Sequence, residues 1–183
     1  MQQIKPNSAF VFDMDGTLIY SDPKIGIPLV KDGKIIKVLG ANEYSSHILG
    51  HGEKFDYSFA SCPTRFTNFS MMTDIFYDIF YELDQIINRT GSDCVLYILT
   101  ARQSCLHDAI FNFICNHEIE TLKHENIICL EEGFAPIQKK QKLEQIRAKH
   151  TGDVIFIDDD EKNIACTKTI PGVISKRVKC QIK

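Results

Sequence analysis

The strongest constraint on the fold lies in the second half of the chain, where short apolar runs alternate with amphipathic stretches. Strands are expected at 94–99 (Cys-Val-Leu-Tyr-Ile-Leu), about 125–130 (Glu-Asn-Ile-Ile-Cys-Leu), 153–157 (Asp-Val-Ile-Phe-Ile) and about 172–178. Helices are expected between them at about 103–117 and about 137–149, with a short one beginning near Glu161. Strands alternating with helices imply βαβ units and a mostly parallel sheet. Strands that are apolar throughout, rather than alternating apolar and polar, fit a sheet covered on both faces. The expected architecture is therefore α/β, a three-layer Rossmann-like fold around a central, mostly parallel sheet.

A further strand at about 8–13 runs into Phe-Asp-Met-Asp-Gly-Thr-Leu at 12–18. If Asp13 ends that strand, a bend at Gly16 can bring Asp15 round into the same pocket. Two carboxylates about 4 Å apart at an effective dielectric near 20 repel by about 4 kcal/mol. Such a pair implies a cation, a shared proton, or both. An EF-hand does not fit, because its glycine belongs at the sixth loop position with a glutamate at the twelfth.

Between this strand and the regular half lies a less ordered stretch. Ile27–Lys31 and Lys34–Leu39 flank Asp32-Gly33, a two-residue hairpin signal. Pro28, which cannot donate to a ladder, assigns the first of these strands to an edge. Residues 40–69 carry Gly, Ser, His and aromatics without a period and are expected to be irregular, with one more short strand. Residues 71–89 are the clearest helix. Met72, Ile75, Phe76, Ile79, Phe80, Leu83, Ile86 and Ile87 recur there at helical spacing, with Ser70 as N-cap and Gly91 past the end. That stripe belongs to a core. The chain of 183 residues reads as one domain with a small β-hairpin-containing insert at about 20–69.

Composition narrows the classes of function. The formal net charge of −3 gives no support for general nucleic-acid binding, and no basic stripe with interleaved aromatics is present. The seven cysteines are odd in number and contain no CxxC pair, which favours reduced thiols over disulfides or a zinc site. No apolar run approaches roughly 18 residues, and the N-terminus has no signal-peptide core. A soluble, cytoplasmic protein is expected, with no membrane partner.

In an open parallel sheet, ligands bind beyond the carboxyl ends of the strands. Asp13 and Asp15 follow the first strand; Thr100, Ala101 and Arg102 follow the strand at 94–99; Asp158, Asp159 and Asp160 follow the one at 153–157, with Asn163 beyond. Lys139, Lys140 and Lys142 lie in the helix that leads into that last strand. Each of these has a plain structural explanation when taken alone, as a capping turn, a strand-end threonine or a solvated helix face. Together they supply the carboxylates, hydroxyl and ammonium that phosphoryl chemistry uses with a hard cation.

These motifs resemble those of the haloacid dehalogenase (HAD) superfamily of phosphatases. The likeness consists of Phe-Asp-Met-Asp-Gly-Thr-Leu (12–18), Leu-Thr-Ala-Arg (99–102), a lysine at 139 or 140, and Ile-Asp-Asp-Asp-Glu-Lys-Asn (157–163), in that family's usual order. It covers 8–19 and about 71–178 but not 20–69. A leucine four residues after the lysine, Leu143, favours Lys139 over Lys140. A receiver domain has a different order of acidic, threonine and lysine positions.

The resemblance implies that Asp13 is the nucleophile and Asp15 the general acid and base of a phosphatase working through an aspartyl-phosphate. It implies Mg2+ held by the Asp13 carboxylate, the Asp15 backbone carbonyl and Asp158, with Asp159 assisting through water or a second layer. Thr100 and Lys139 would bind the phosphoryl group, and Arg102 is a further substrate contact. The insert would set substrate choice, with Tyr44, His47, His51, Tyr57 and Arg65 as candidate contacts. A small cover suits a bulky phosphorylated substrate, a phosphoprotein or a nucleic-acid end, and also admits a small molecule. The alternatives are a polynucleotide-end phosphatase, a phosphotransferase or mutase on the same scaffold, and an idle binding protein.

Overall fold

The computed structural model describes residues 5–21, 27–39, 43, 47–56, 58, 61–130 and 135–179. Five strands form the central sheet: β1 (Ala9–Phe12), β7 (Val95–Thr100), β8 (Ile127–Cys129), β9 (Val154–Asp158) and β10 (Val173–Arg177). Their order is β10-β9-β1-β7-β8, and every neighbouring pair is parallel. All four residues of β1 are buried, as a central strand covered on both faces requires.

Alternation along the strands divides the core into two layers. Phe10 and Phe12 of β1 join Leu96 and Ile98 of β7 on one face. There they meet Ile87 of α2 (Glu82–Thr90) and Ile110 and Ile114 of α3 (His107–Cys115). Ala9, Val11, Tyr97, Leu99, Val154 and Phe156 point to the other face. They pack on Leu143 and Ile146 of α4 (Ala135–Lys149) and Ile164 of α5 (Glu161–Thr167). The period of two in the strands thus serves two helical layers at once.

The chain fills the sheet outward from β1 to β8, then returns to add β9 and β10 on the other side. The reversal falls between β1 and β9. Their carboxyl ends flank the topological switch point, where ligands bind in such sheets.

Immediately after β1 the chain makes one tight turn. Met14 O accepts from Leu18 N at 2.9 Å and from Ile19 N at 3.0 Å, and Gly16 N donates to Ile19 O at 2.9 Å. Strand β2 (Ile19–Ser21) then pairs antiparallel with β6 (Ser70–Met72), so the segment between them leaves and re-enters beside the turn. Within that segment, β3 (Ile27–Lys31), β4 (Lys34–Leu39) and β5 (Glu53–Phe55) form a separate antiparallel sheet of order β4-β3-β5. The hairpin falls where the sequence puts it: Asp32 and Gly33 have φ of 51° and 75°, the left-handed pair that a two-residue turn needs.

Three local expectations give way. Pro28 lies in the central strand of the small sheet, not on an edge. A residue's N–H and C=O point to the same side of a strand. The Pro28 carbonyl accepts from Asp56 N at 2.8 Å, while ladder pairing with β5 begins only at Leu29. The missing N–H therefore falls past the end of β5 and removes no bond with β4. Residues 63–69, expected to be irregular, form α1 (Pro63–Phe69), which opens on a proline at its first position and buries Phe66. Ser70 is not a helix cap but the start of β6. Thr73 takes that role: Phe76 N donates to its Oγ1 at 3.3 Å, and the helix runs through a π-helical turn (Phe76–Tyr81) into α2. It stops at Gly91, left-handed at φ 61°.

Candidate active site

Four segments converge at the carboxyl ends of β1, β7 and β9. Asp13 extends β1, its N–H donating to Ile157 O of β9 at 2.9 Å. Asp158 ends β9 and is fully buried. Between them sits Lys139 of α4, 2 % exposed, with Nζ donating to Asp13 Oδ1 at 2.5 Å and to Asp158 Oδ2 at 2.7 Å. Lys140, next to it, is half-buried and makes neither contact. Of the two lysines left open in the sequence, Lys139 is the one that points under the sheet end.

Asp158 is oriented from behind. Asn163 Nδ2 donates to its Oδ2 at 2.9 Å, and Asp160 N donates to its Oδ1 at 2.7 Å. The three aspartates in a row have separate jobs: Asp160 caps α5 by accepting from Lys162 N at 2.7 Å, which leaves Asp158 and Asp159 for the pocket. Oxygens of Asp13, Asp158 and Asp159 lie within 4.8 Å of one another. Thr17 Oγ1 donates to Asp159 at 3.4 Å.

Gly16 is constrained twice. Its φ of +78° is left-handed, and a Cβ there would stand 2.5 Å from Asp159 Oδ2. The turn that carries Asp15 round therefore needs glycine in order to pass under Asp159. Asp15 itself does not join the carboxylate cluster. Arg102 grips it with two parallel bonds, Nε to Oδ2 at 2.7 Å and Nη2 to Oδ1 at 2.6 Å. The guanidinium lies 4.9 Å above the Phe66 ring, which ties α1 to the site. Thr100, buried at the end of β7, accepts from Arg102 N at 3.2 Å through Oγ1, which leaves its own hydroxyl hydrogen for an acceptor elsewhere.

Burial dominates the electrostatics. It pushes the Asp13 carboxyl well above the ordinary carboxylate range, against the pull of Lys139 and with help from Asp158. Burial likewise raises Asp159, with Asp158 adding to the rise. Burial works to lower Lys139, but Asp13 and Asp158 outweigh it and push the ammonium up to about 12, so it stays charged. Arg102 is raised in the same way, desolvation opposing and Asp15 prevailing. Asp13 and Asp158 share one buried ammonium, and with Asp159 beside them they form a donor set of hard oxygens suited to a divalent cation.

The insert candidates are scattered. His47 lies 3.3 Å from Glu53 Oε2 within the small sheet's own loop, and His51 is exposed. Arg65 lies on α1 beside Phe66, while Tyr44 and Tyr57 fall outside the described residues. Phe66 carried no signal in the sequence, and Thr17, though inside the 12–18 motif, had no role of its own assigned. Asn163 did carry a signal: it stands five residues after Asp158, one turn into the next helix.

No family model matches the chain, and no curated protein does. Among solved structures, the HAD domain of the effector protein Lem4 from Legionella pneumophila, an inactive mutant, matches with a TM-score of 0.50 at 15% identity, over 96% of this chain and 87% of that one. A second structure of that domain matches with a TM-score of 0.47 at 16% identity, over 94% and 86%. The sheet order and this likeness define a haloacid dehalogenase-like α/β fold. No helix among the described residues is long and apolar enough to cross a membrane.

Proposed function

We propose that this protein is a Mg2+-dependent phosphatase that hydrolyses phosphate monoesters through an aspartyl-phosphate on Asp13. The observation that carries this reading is the buried ammonium of Lys139 held between Asp13 and Asp158 at the switch point of the sheet. The resemblance of the motifs and the HAD-like fold support it. Asp13, Asp158 and Asp159, with the backbone carbonyl of Asp15, would hold Mg2+, which when bound would neutralise charge on the phosphoryl oxygens.

In this reading an Asp13 oxygen attacks phosphorus and the bond to the ester oxygen breaks. The Asp15 carboxyl gives its proton to that leaving oxygen. Asp15 then takes a proton from the water that attacks the aspartyl-phosphate, which frees phosphate and restores Asp13. Lys139 offsets charge on the nucleophile and the transferring group, and Thr100 donates its hydroxyl to a phosphoryl oxygen. Both oxygens of Asp15 are engaged by Arg102 before substrate arrives. An anionic substrate that draws the guanidinium to itself would release Asp15 for proton transfer, which gives Arg102 a role in substrate binding. General acid catalysis contributes roughly 10²–10⁴ to a reaction that enzymes accelerate by up to about 10²¹. The rest falls to the cation, Lys139 and positioning.

The segment at about 20–69 would act as a specificity element on one catalytic domain, and a cytoplasmic setting fits the six described cysteines, all free. The test is a phosphate-ester panel with Mg2+ that includes nucleotides, sugar phosphates, phosphopeptides and oligonucleotides, with release of free phosphate measured. Turnover that EDTA stops and Mg2+ restores is expected, with Asp13→Asn lowering it at least about 10³-fold while the fold persists. Full activity of Asp13→Asn would overturn the reading.

A further inference from the structure

We infer that a second metal site lies on the surface between α3 and the turn before β8, formed by His107, Asp108 and His124. His107 and Asp108 open α3; His124 begins a short 3-10 turn (His124–Asn126) that leads into β8. His107 Nδ1 lies 3.2 Å from His124 Nε2, and Asp108 Oδ1 lies 2.8 Å from His124 Nε2 and 3.8 Å from His107 Nδ1. A tetrahedral ion with metal–ligand distances of about 2.0–2.1 Å holds its ligand atoms roughly 3.3–3.4 Å apart. The three observed separations bracket that edge length.

An independent contact aims one of the ligands. His107 Nε2 lies 2.9 Å from the Ile127 carbonyl oxygen of β8, which can only accept. Nε2 therefore carries the ring proton, and Nδ1 presents its lone pair to His124 and Asp108. A ligating histidine whose other ring nitrogen is bonded to a backbone carbonyl is the usual arrangement around protein-bound metals. His124 is steadied in turn by the edge of Phe111, ring centroids 5.1 Å apart. A single proton on His124 Nε2 can serve Asp108 or His107 well, but not both. A divalent ion meets all three acceptors together.

Two imidazole nitrogens and one carboxylate oxygen suit a borderline transition ion such as Zn2+ rather than Mg2+, with water completing the shell. The all-oxygen pocket at Asp13 has the opposite preference, so the two sites would sort different cations. The bound ion would tie the start of α3 to the edge strand of the central sheet.

The test is a Zn2+ titration of the protein in excess Mg2+, against a chromogenic zinc indicator, with the wild type, His124→Ala and Asp108→Asn compared. The wild type is expected to take one equivalent of Zn2+, His124→Ala to lose about 10–100-fold in affinity, and Asp108→Asn to weaken binding in the same direction. Both substitutions fall on exposed side chains, and far-UV circular dichroism checks that the fold is retained. Equal Zn2+ affinity in the wild type and His124→Ala would assign the metal to cysteines and overturn the inference, as would a wild type that takes no Zn2+ from the indicator.

Discussion

Two clusters among the described residues bring carboxylates against nitrogen groups and differ widely in burial. Lys139 with Asp13 and Asp158 is sealed beneath the carboxyl ends of β1 and β9, while Asp108 and His124 stand in solvent at the sheet edge beside the half-buried His107, the Asp108 side chain 84% exposed. The shortest contacts within the two are alike, 2.5 Å from Lys139 to Asp13 and 2.8 Å from His124 to Asp108. The energetics are not, because water competes for the exposed charges and leaves the buried ones dependent on each other. Removing one member should therefore be severe in the first cluster and slight in the second.

The largest effect is expected for Lys139→Met. It leaves two carboxylates buried without their shared cation, and breaking a buried pair in this way costs about 3–5 kcal/mol. Urea unfolding in metal-free buffer should show the midpoint fall with little change in slope. Adding Asp158→Asn to Lys139→Met should recover part of the loss, because the uncompensated charge is then removed. A wild-type midpoint for Lys139→Met would mean that the cluster is wetter than its burial implies.

How far the sequence anticipated this contrast depends on whether local chemistry or distant packing decides a residue. The central sheet was legible because β1, β7 and β9 are apolar enough to be buried on both faces, and the hairpin because Asp32-Gly33 names its own turn. Asp13, Thr100 and Asp158 were legible as strand-end residues of a parallel sheet. Helix α1 was not, since Phe66 is its one buried residue and a single anchor has no period. Thr73 displaced Ser70 as cap because Ser70–Met72 was claimed by pairing with β2, a contact 51 residues away in sequence at the Tyr20–Met71 rung and beyond any local pattern. The grip of Arg102 on Asp15, and the convergence of His107 and Asp108 on His124, likewise arise only once the helices are packed.

An intermediate case sharpens the scale. His150 is buried and carries no opposing charge: its Nε2 meets Tyr97 Oη at 3.0 Å and its Nδ1 meets Asn7 Oδ1 at 3.0 Å. Burial lowers its proton affinity, so the folded state favours the neutral ring. The folded-state value lies below the unfolded one, near 6.5. The contribution to stability is thus full above about pH 6.5 and is lost as pH falls through and below that value. Unfolding midpoints measured from pH 8 down to 5 should decline more for the wild type than for His150→Gln, which has no proton to take up. Parallel declines would remove His150 from the scale.

The smallest effect is expected for Asp108→Asn in metal-free buffer. Its hydrogen bond to His124, together with the nearby ring of His107, holds the Asp108 carboxyl below its usual range, but the group is fully open to solvent. Exposed pairs lose most of their attraction to screening and to the entropy of holding two side chains together. The urea midpoint should not move measurably. A fall comparable to that of Lys139→Met would break the comparison, since it would mean that distance rather than burial sets the worth of these contacts. A midpoint that separates wild type from Asp108→Asn only after Zn2+ is added would instead assign the cluster's worth to the ion, because a ligand that binds only the folded state stabilises it in proportion to its occupancy.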